Sequence, residues 1–176
     1  MANSKIIAGA GEHYIAYVLS CLGYISALVR EGSPTVDLLA SNIDGSNTIG
    51  IQVKTTEWAE RTRGRGKNKK PYELQFPLGH RAIENAGSKL IFCFVDLRGL
   101  DTLERPDVYV IPAKVLLDFY AGVNIRQYSY FRLHWKIEQM LEFKNNWQPI
   151  HSILGNNSDE TYRLIAVSPI NSSVTD

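Results

Sequence analysis

The sequence predicts a mixed α/β domain in which an antiparallel hairpin lies beside more central strands. Three observations predict this class. Residues 4–22 repeat apolar side chains at steps of three or four, residues 34–56 alternate polar and apolar side chains, and residues 89–97 (KLIFCFVDL) form a nearly continuous apolar run. The predicted order of elements is helix, strand, hairpin, loop, helix, strand, strand, helix.

The composition is that of an ordinary folded domain. The chain has 176 residues, of which 44% are hydrophobic and 21% are charged, so we expect one domain over residues 1–155 and a polar tail or edge segment over 156–176. No apolar run approaches the roughly 20 residues that span a bilayer. Cys21 and Cys93 lack the partners of a zinc motif. A cytoplasmic location is the expectation.

The first element is a helix predicted over residues 4–22, with Ser4 as its N-cap and Gly23 as its C-cap. Glu12 lies at the edge of the predicted buried face. The ordinary interpretation of such an acid is that it stays solvated or benefits from the dipole near the helix N-terminus. A short strand over residues 24–29 follows the helix.

The hairpin over residues 34–56 gathers polar side chains on one face. Its turn is predicted at the Asp44-Gly45 pair, so folding the chain back brings Asp37 opposite the second strand. Because side chains alternate along a strand, Gln52 and Lys54 point to one face while their neighbours point to the core. We therefore expect a carboxylate, an amide and an ammonium group to converge.

Residues 57–71 (EWAERTRGRGKNKKP) have no apolar period and are predicted to form a mobile basic loop. From Lys54 to Lys70 there are seven basic and two acidic residues, a net charge of +5 within a chain of net charge +1. Such a cluster suits a polyanion, although a solvated loop is the alternative. The candidate DNA-binding residues are Arg61, Arg63, Arg65, Lys67, Lys69 and Lys70.

The second half of the chain predicts strands over residues 72–78 and 108–111, with a central strand over 89–97 that is buried on both faces. Short helices are predicted over 80–86 and 112–121, and a longer one over 133–143. An aromatic-rich stretch near the end of the chain belongs either to the core around the last helix or to a subunit interface. Its residues are Tyr128, Tyr130, Phe131, Trp135 and Trp147.

Taken together, these motifs resemble the PD-(D/E)xK nuclease superfamily, in particular archaeal-type junction resolvases and restriction-like proteins of bacteria. In that family a helix supplies a Glu, a strand supplies an Asp, and the next strand supplies an acid or its amide, one residue, and then Lys. The matching residues are Glu12, Asp37, Gln52 and Lys54, within residues 4–56. The resemblance implies a restriction-endonuclease-like mixed sheet (α-β-β-β-α-β core) flanked by helices.

The resemblance also implies a function, a metal-dependent DNA endonuclease that hydrolyses phosphodiester bonds. Its catalytic residues would be Lys54, Asp37, Gln52 and Glu12. Mg²⁺ (or Mn²⁺) would be held by Asp37, Glu12, the Gln52 side chain and the Val53 backbone carbonyl. DNA is the implied partner, and a nuclease with one site per chain usually cuts both strands as a homodimer or larger homo-oligomer.

Other interpretations remain open. Gln52 replaces the acid that the family usually has, which weakens a metal site, so the alternative is a catalytically degenerate nuclease-fold DNA-binding protein. In an unrelated fold, Asp37 and Lys54 would form only a cross-strand ion pair, worth roughly 0.2 to 1 kcal/mol. A Ser-His-Asp hydrolase using one of the histidines lacks a nucleophile elbow in the sequence.

Overall fold

The computed structural model describes residues 3–30, 33, 35–84, 86–127 and 132–155. The α-helices are α1 (Ser4–Cys21), α2 (His80–Glu84), α3 (Ala113–Phe119), α4 (Ile137–Met140) and α5 (Gln148–Leu154). The strands are β1 (Ile25–Leu28), β2 (Leu38–Ser41), β3 (Thr48–Thr56), β4 (Glu60–Arg63), β5 (Lys70–Pro77), β6 (Leu90–Asp96), β7 (Asp107–Pro112) and β8 (Arg132–Lys136). The predicted tail, Pro34 and three of the aromatic residues, Tyr128, Tyr130 and Phe131, lie outside the described residues.

The main sheet is mixed and has five strands in the order β1-β2-β3-β6-β7. Strands β3 and β6 are parallel, and the other neighbours are antiparallel. Every residue of β6 is buried, which confirms the predicted central strand, because a strand is buried throughout only when both of its faces are covered. The mixed α/β class and the α-β-β-β-α-β order are confirmed, with strands β4 and β5 inserted between β3 and α2.

Two hydrophobic cores lie on opposite faces of this sheet. On one face, α1 and α5 pack against Ile51 and Val53. On the other face, a three-stranded sheet ordered β4-β5-β8 packs with α2 and α3 against Phe92 and Phe94. Gln52 alternates with Ile51 and Val53 and is in register with Phe92, so it lies on the second face. No helix among the described residues is long and apolar enough to span a membrane.

The predicted mobile loop over residues 57–71 is wrong, because most of this segment is a β-hairpin formed by β4 and β5. The glycines that suggested mobility are turn residues. Gly64 has φ +115°, and a Cβ atom there would overlap the Asn68 carbonyl oxygen. Only glycine adopts this backbone without strain.

The predicted helix over residues 133–143 is also wrong in its first half, which is strand β8. Leu133 and Trp135 are buried and pair with Phe76 and Leu74 on β5, while His134 and Lys136 are exposed. This alternation has the period of a strand, and pairing with β5 outweighed the helical spacing of the apolar residues. Trp135 is therefore a core residue.

The first helix is confirmed, but its N-cap is Asn3 and not the predicted Ser4. The side-chain oxygen of Asn3 accepts a hydrogen bond from the Lys5 N–H at 3.0 Å. Gly11 is one of the buried residues of this helix. The helix lies so close to β3 that a Cβ atom at Gly11 would overlap the Thr55 hydroxyl and come within 2.9 Å of Thr55 Cβ.

Replacing Gly11 with alanine is expected to lower the free energy of unfolding by about 1 to 3 kcal/mol, because the added methyl group forces α1 away from β3. Gly9 is the matched control, since a Cβ atom there meets nothing within 4 Å. Gly9→Ala is expected to stabilise by up to about 1 kcal/mol through helix propensity. Urea unfolding of both variants checks the prediction, and equal effects would show that the close contact is unimportant.

Candidate functional site

The Asp37 carboxylate is held against strand β3. Asp37 precedes the first residue of β2, but its backbone pairs like a strand residue. Its N–H donates to the Ile51 carbonyl at 2.8 Å, and its own carbonyl accepts from the Val29 N–H at 2.8 Å. The side-chain Oδ2 accepts a hydrogen bond from the Val53 N–H at 2.7 Å. The carboxylate therefore has a fixed position beside Gln52 and Lys54.

The Gln52 amide links Lys54 to the segment that leads into Asp37. The side chain is only 3% exposed. Because Lys54 Nζ can only donate and a carbonyl can only accept, the amide oxygen faces Lys54 and the amide nitrogen faces Thr35. In this orientation Gln52 accepts from Lys54 Nζ at 3.0 Å and donates to the Thr35 carbonyl at 3.2 Å. Both ends of the buried amide are satisfied.

The pKa of Lys54 reflects the charges of both candidate carboxylates. Burial lowers the pKa of the Lys54 ammonium below the ordinary value of 10.5, and the charges of Asp37 and Glu12 offset part of this effect. Both carboxylates therefore lie near enough to interact with this ammonium. The described residues contain no Asp37–Lys54 ion pair within 4.0 Å. The interpretation that Asp37 and Lys54 form a direct cross-strand ion pair is therefore wrong.

Glu12 reaches the site because of the helix–strand contact at its neighbour. Gly11 packs against Thr55 on β3, one residue after Lys54. Glu12 follows Gly11 and is half-buried. The charge of Glu12 acts on the Lys54 ammonium, so this acid lies within electrostatic reach of the lysine of the predicted motif. The structure thus brings Asp37, Gln52 and Lys54 together on β3 and the segment beside it, and Glu12 acts on the same lysine through its charge.

The oxygen donors of the site suit a hard cation that keeps part of its water shell. Among the described residues no three His, Cys, Asp or Glu side chains form a ligand group. The site offers two carboxylates, from Asp37 and Glu12, with the Gln52 amide oxygen and the predicted Val53 carbonyl. Mg²⁺ is typically held by one or two carboxylates together with waters and substrate phosphates. This donor set fits such a cation.

The six candidate DNA-binding residues fall into two groups. The Arg61 guanidinium is used inside the protein, donating to Gln75 Oε1 at 3.1 Å and to the Trp58 and Glu60 carbonyls at 2.9 and 3.1 Å. The other five are exposed around the β4–β5 turn, and they are Arg63, Arg65, Lys67, Lys69 and Lys70. Arg61 therefore supports the hairpin, while the other five are free to meet solvent.

Sequence reasoning missed two residues of the site. The Thr35 carbonyl anchors Gln52, but a carbonyl has no residue-specific signature. Gly11 had a signal, since a glycine at a buried position of an otherwise regular helix suggests close backbone approach. Val53 was predicted to contribute its carbonyl, and its N–H is the group that binds Asp37.

Comparisons with known proteins define the class of fold. The five-stranded mixed sheet flanked by helices is a nuclease-like α/β fold, and it has a neighbour among solved structures. That neighbour is a bacterial homing endonuclease, I-Ssp6803I, with a TM-score of 0.53 and 12% sequence identity, over 86% of this chain and 94% of the neighbour. No protein-family model and no curated protein matches the sequence. The likeness concerns the fold.

Proposed function

We propose that this protein is a metal-dependent DNA endonuclease of the PD-(D/E)xK type, which hydrolyses phosphodiester bonds. The observation that carries the proposal is a half-buried lysine, Lys54, whose pKa is lowered by burial while the charges of Asp37 and Glu12 offset part of this effect. Perturbed titratable groups gathered in this way are typical of functional sites. The fold shared with a homing endonuclease supports DNA as the substrate.

The residues of the site have two roles in this proposal, holding the cation and acting on the phosphate. Asp37, Glu12, the Gln52 oxygen and the Val53 carbonyl would hold Mg²⁺ (or Mn²⁺). Such a cation polarises the phosphoryl group and lowers the pKa of a bound water. An amide oxygen has two lone pairs, so Gln52 can accept from Lys54 and still serve as a ligand. The Lys54 ammonium orients the attacking water or stabilises the negative charge that develops on the phosphoryl oxygens.

A second candidate is a nuclease-fold protein that binds DNA without cutting it. The observation in its favour is Gln52, whose amide is satisfied by Lys54 and Thr35 and carries no charge. With one carboxylate fewer, cation affinity falls. This candidate predicts salt-sensitive DNA binding that does not depend on Asp37.

Nicking of supercoiled plasmid and of branched DNA in Mg²⁺, Mn²⁺ or EDTA tests the first proposal. Asp37→Asn keeps an acceptor for the Val53 N–H but removes the charge, and we expect cleavage to fall by about a hundredfold or more. The matched control is Asp44→Asn in the exposed turn before β3, which should cut like wild type. Calorimetric titration with Mn²⁺ should show binding that only Asp37→Asn loses.

Wild-type protein that cuts none of these substrates, with cation binding unaffected by Asp37→Asn, would contradict the endonuclease proposal and favour the binding protein. Cleavage of both strands would require two sites, so the active form is proposed to be a homodimer or larger homo-oligomer. Sedimentation of the protein with and without duplex DNA measures this directly.

A further inference from the structure

The outer part of the β4–β5 hairpin projects from the domain. Every residue from Thr62 to Tyr72 is exposed, and we call this segment the basic ribbon. It begins at an irregularity in the strand pairing between Arg61 and Thr62. Bulges of this kind increase local twist and redirect the strands beyond them. The ribbon is therefore a separate projection on a packed base.

The charge of the basic ribbon is uncompensated within the described part of the chain. The segment contains five cationic residues and no acidic residue: Arg63, Arg65, Lys67, Lys69 and Lys70. None of the five forms an ion pair with any described residue. Arg63 and Lys70 are directly opposite each other across the two strands. Like charges in this arrangement destabilise a hairpin, so a bound polyanion would relieve a repulsion already present.

The base of the ribbon is held in place by polar contacts and by the core. Arg61 donates to Gln75 on the neighbouring strand at 3.1 Å. His134 on β8 lies 3.2 Å from the Glu73 carboxylate. Leu74 and Phe76 anchor the inner face of the same strand in the core. The ribbon thus enters binding with its base already ordered, which lowers the entropic cost of association.

We infer that the basic ribbon inserts into the major groove of duplex DNA. The inference rests on the proposed function only in taking DNA as the polyanion. The major groove of B-DNA is about 12 Å wide and about 8.5 Å deep and admits a two-stranded ribbon, while the minor groove is about 6 Å wide. Beyond the irregularity the ribbon has two paired positions, Thr62 with Pro71 and Arg63 with Lys70, before the turn, and its two strands are spaced about 4.8 Å apart. The ribbon is therefore narrow enough to enter the major groove but not the minor groove, and cations on both of its strands can meet phosphates on the two sides of the groove.

The groove assignment also predicts which nucleic acids bind poorly. The major groove of A-form RNA is deep and narrow, so a ribbon cannot enter it. Single-stranded DNA has no groove. Duplex DNA is therefore expected to bind at least tenfold more tightly than duplex RNA or single-stranded DNA of the same length and sequence.

Fluorescence anisotropy in EDTA, where no cation supports cleavage, measures the affinity for these three probes. A fourth probe is the same DNA duplex with glucosylated hydroxymethylcytosine, whose sugars occupy the major groove. We expect glucosylation to weaken binding by tenfold or more. Equal affinity for the glucosylated and plain duplexes, or equal affinity for duplex and single-stranded DNA, would overturn the inference.

A triple variant assigns the effect to the ribbon. Substituting Arg65, Lys67 and Lys69 with alanine should reduce the slope of log K against log[salt] by roughly 2.7, since each phosphate contact contributes about 0.9. The matched control removes three exposed lysines elsewhere, namely Lys5, Lys89 and Lys114. A control variant that loses as much slope as the ribbon variant would also overturn the inference. Circular dichroism verifies that both variants fold.

These measurements separate the inference from the proposed function. Because binding is measured without a divalent cation, ribbon-dependent duplex binding would stand even if the protein cut no DNA. Conversely, cleavage that depends on Asp37 together with unchanged binding by the ribbon variant would leave the endonuclease proposal intact and remove the groove assignment.

Discussion

Replacing Lys54 with methionine is expected to reduce DNA cleavage by about 10² to 10³-fold while leaving DNA binding within about twofold of wild type. Methionine retains most of the apolar stem but has no ammonium group to stabilise charge on the reacting phosphate. Removing one preorganised donor to a developing oxyanion typically costs this much in rate. Single-turnover cleavage of plasmid DNA and anisotropy in EDTA measure the two quantities.

Lys89→Met is the matched control, because Lys89 is exposed and immediately precedes β6, the strand beside Lys54. Lys54→Arg is not expected to restore activity, since the larger planar guanidinium does not fit the position that Nζ occupies beside Gln52. If Lys54→Met cuts at the wild-type rate, the lysine has no part in catalysis and the site must be assigned differently.

The pH dependence gives a second readout of the same lysine. Burial lowers the pKa of Lys54 below 10.5, with Asp37 and Glu12 acting in the opposite direction. In the proposed mechanism the ammonium is the active form, so cleavage should decline on the alkaline side at a pH below 10.5. In the window between the lowered pKa and 10.5, the unfolded chain binds more protons than the folded one at this site. The contribution of Lys54 to stability therefore rises with pH across that window, and Lys54→Met should abolish the rise.

The local pattern of the sequence was sufficient for the central strands but not for the elements that surround them. Alternation along β3 assigned Gln52 and Lys54 to one face correctly, because the side-chain period of a strand is a local property. The apolar run of β6 predicted burial on both faces for a similar reason. These two strands are parallel neighbours in the main sheet. The sequence therefore predicted correctly the pair of strands that holds Lys54.

The errors come from contacts between residues that are distant in sequence. Residues 57–71 look like a loop because their charges prevent an apolar pattern, yet Leu74 and Phe76 on β5 anchor the hairpin in the core. Leu133 has helical spacing to Ile137, but pairing with Phe76 makes its segment a strand. Context of this kind overrides local propensity. The anchoring of Gln52 by Thr35 is equally non-local, since it depends on a loop folding back on β3.

Replacing Gln52 with glutamate is expected to lower the free energy of unfolding by about 1 to 3 kcal/mol and to slow cleavage. The substitution restores the acid of the usual motif, so a comparison of motifs alone would predict higher activity. The buried amide, however, donates to the Thr35 carbonyl at 3.2 Å, and a carboxylate cannot donate. A buried carbonyl left without its partner costs about 1 to 3 kcal/mol, and here it would also face a negative charge. The new carboxylate would in addition hold the Lys54 ammonium in an ion pair, away from the phosphate.

Gln148→Glu is the matched control, because it adds the same charge at an exposed position at the start of α5 and should change stability by no more than about 0.5 kcal/mol. Urea unfolding and single-turnover cleavage of both variants decide the question. A Gln52→Glu protein that is as stable as wild type and cuts faster would mean that Gln52 is only a weak substitute for an acidic ligand. A less stable and slower protein would mean that the amide is required where it is, because its two ends connect Lys54 to the segment that leads into Asp37.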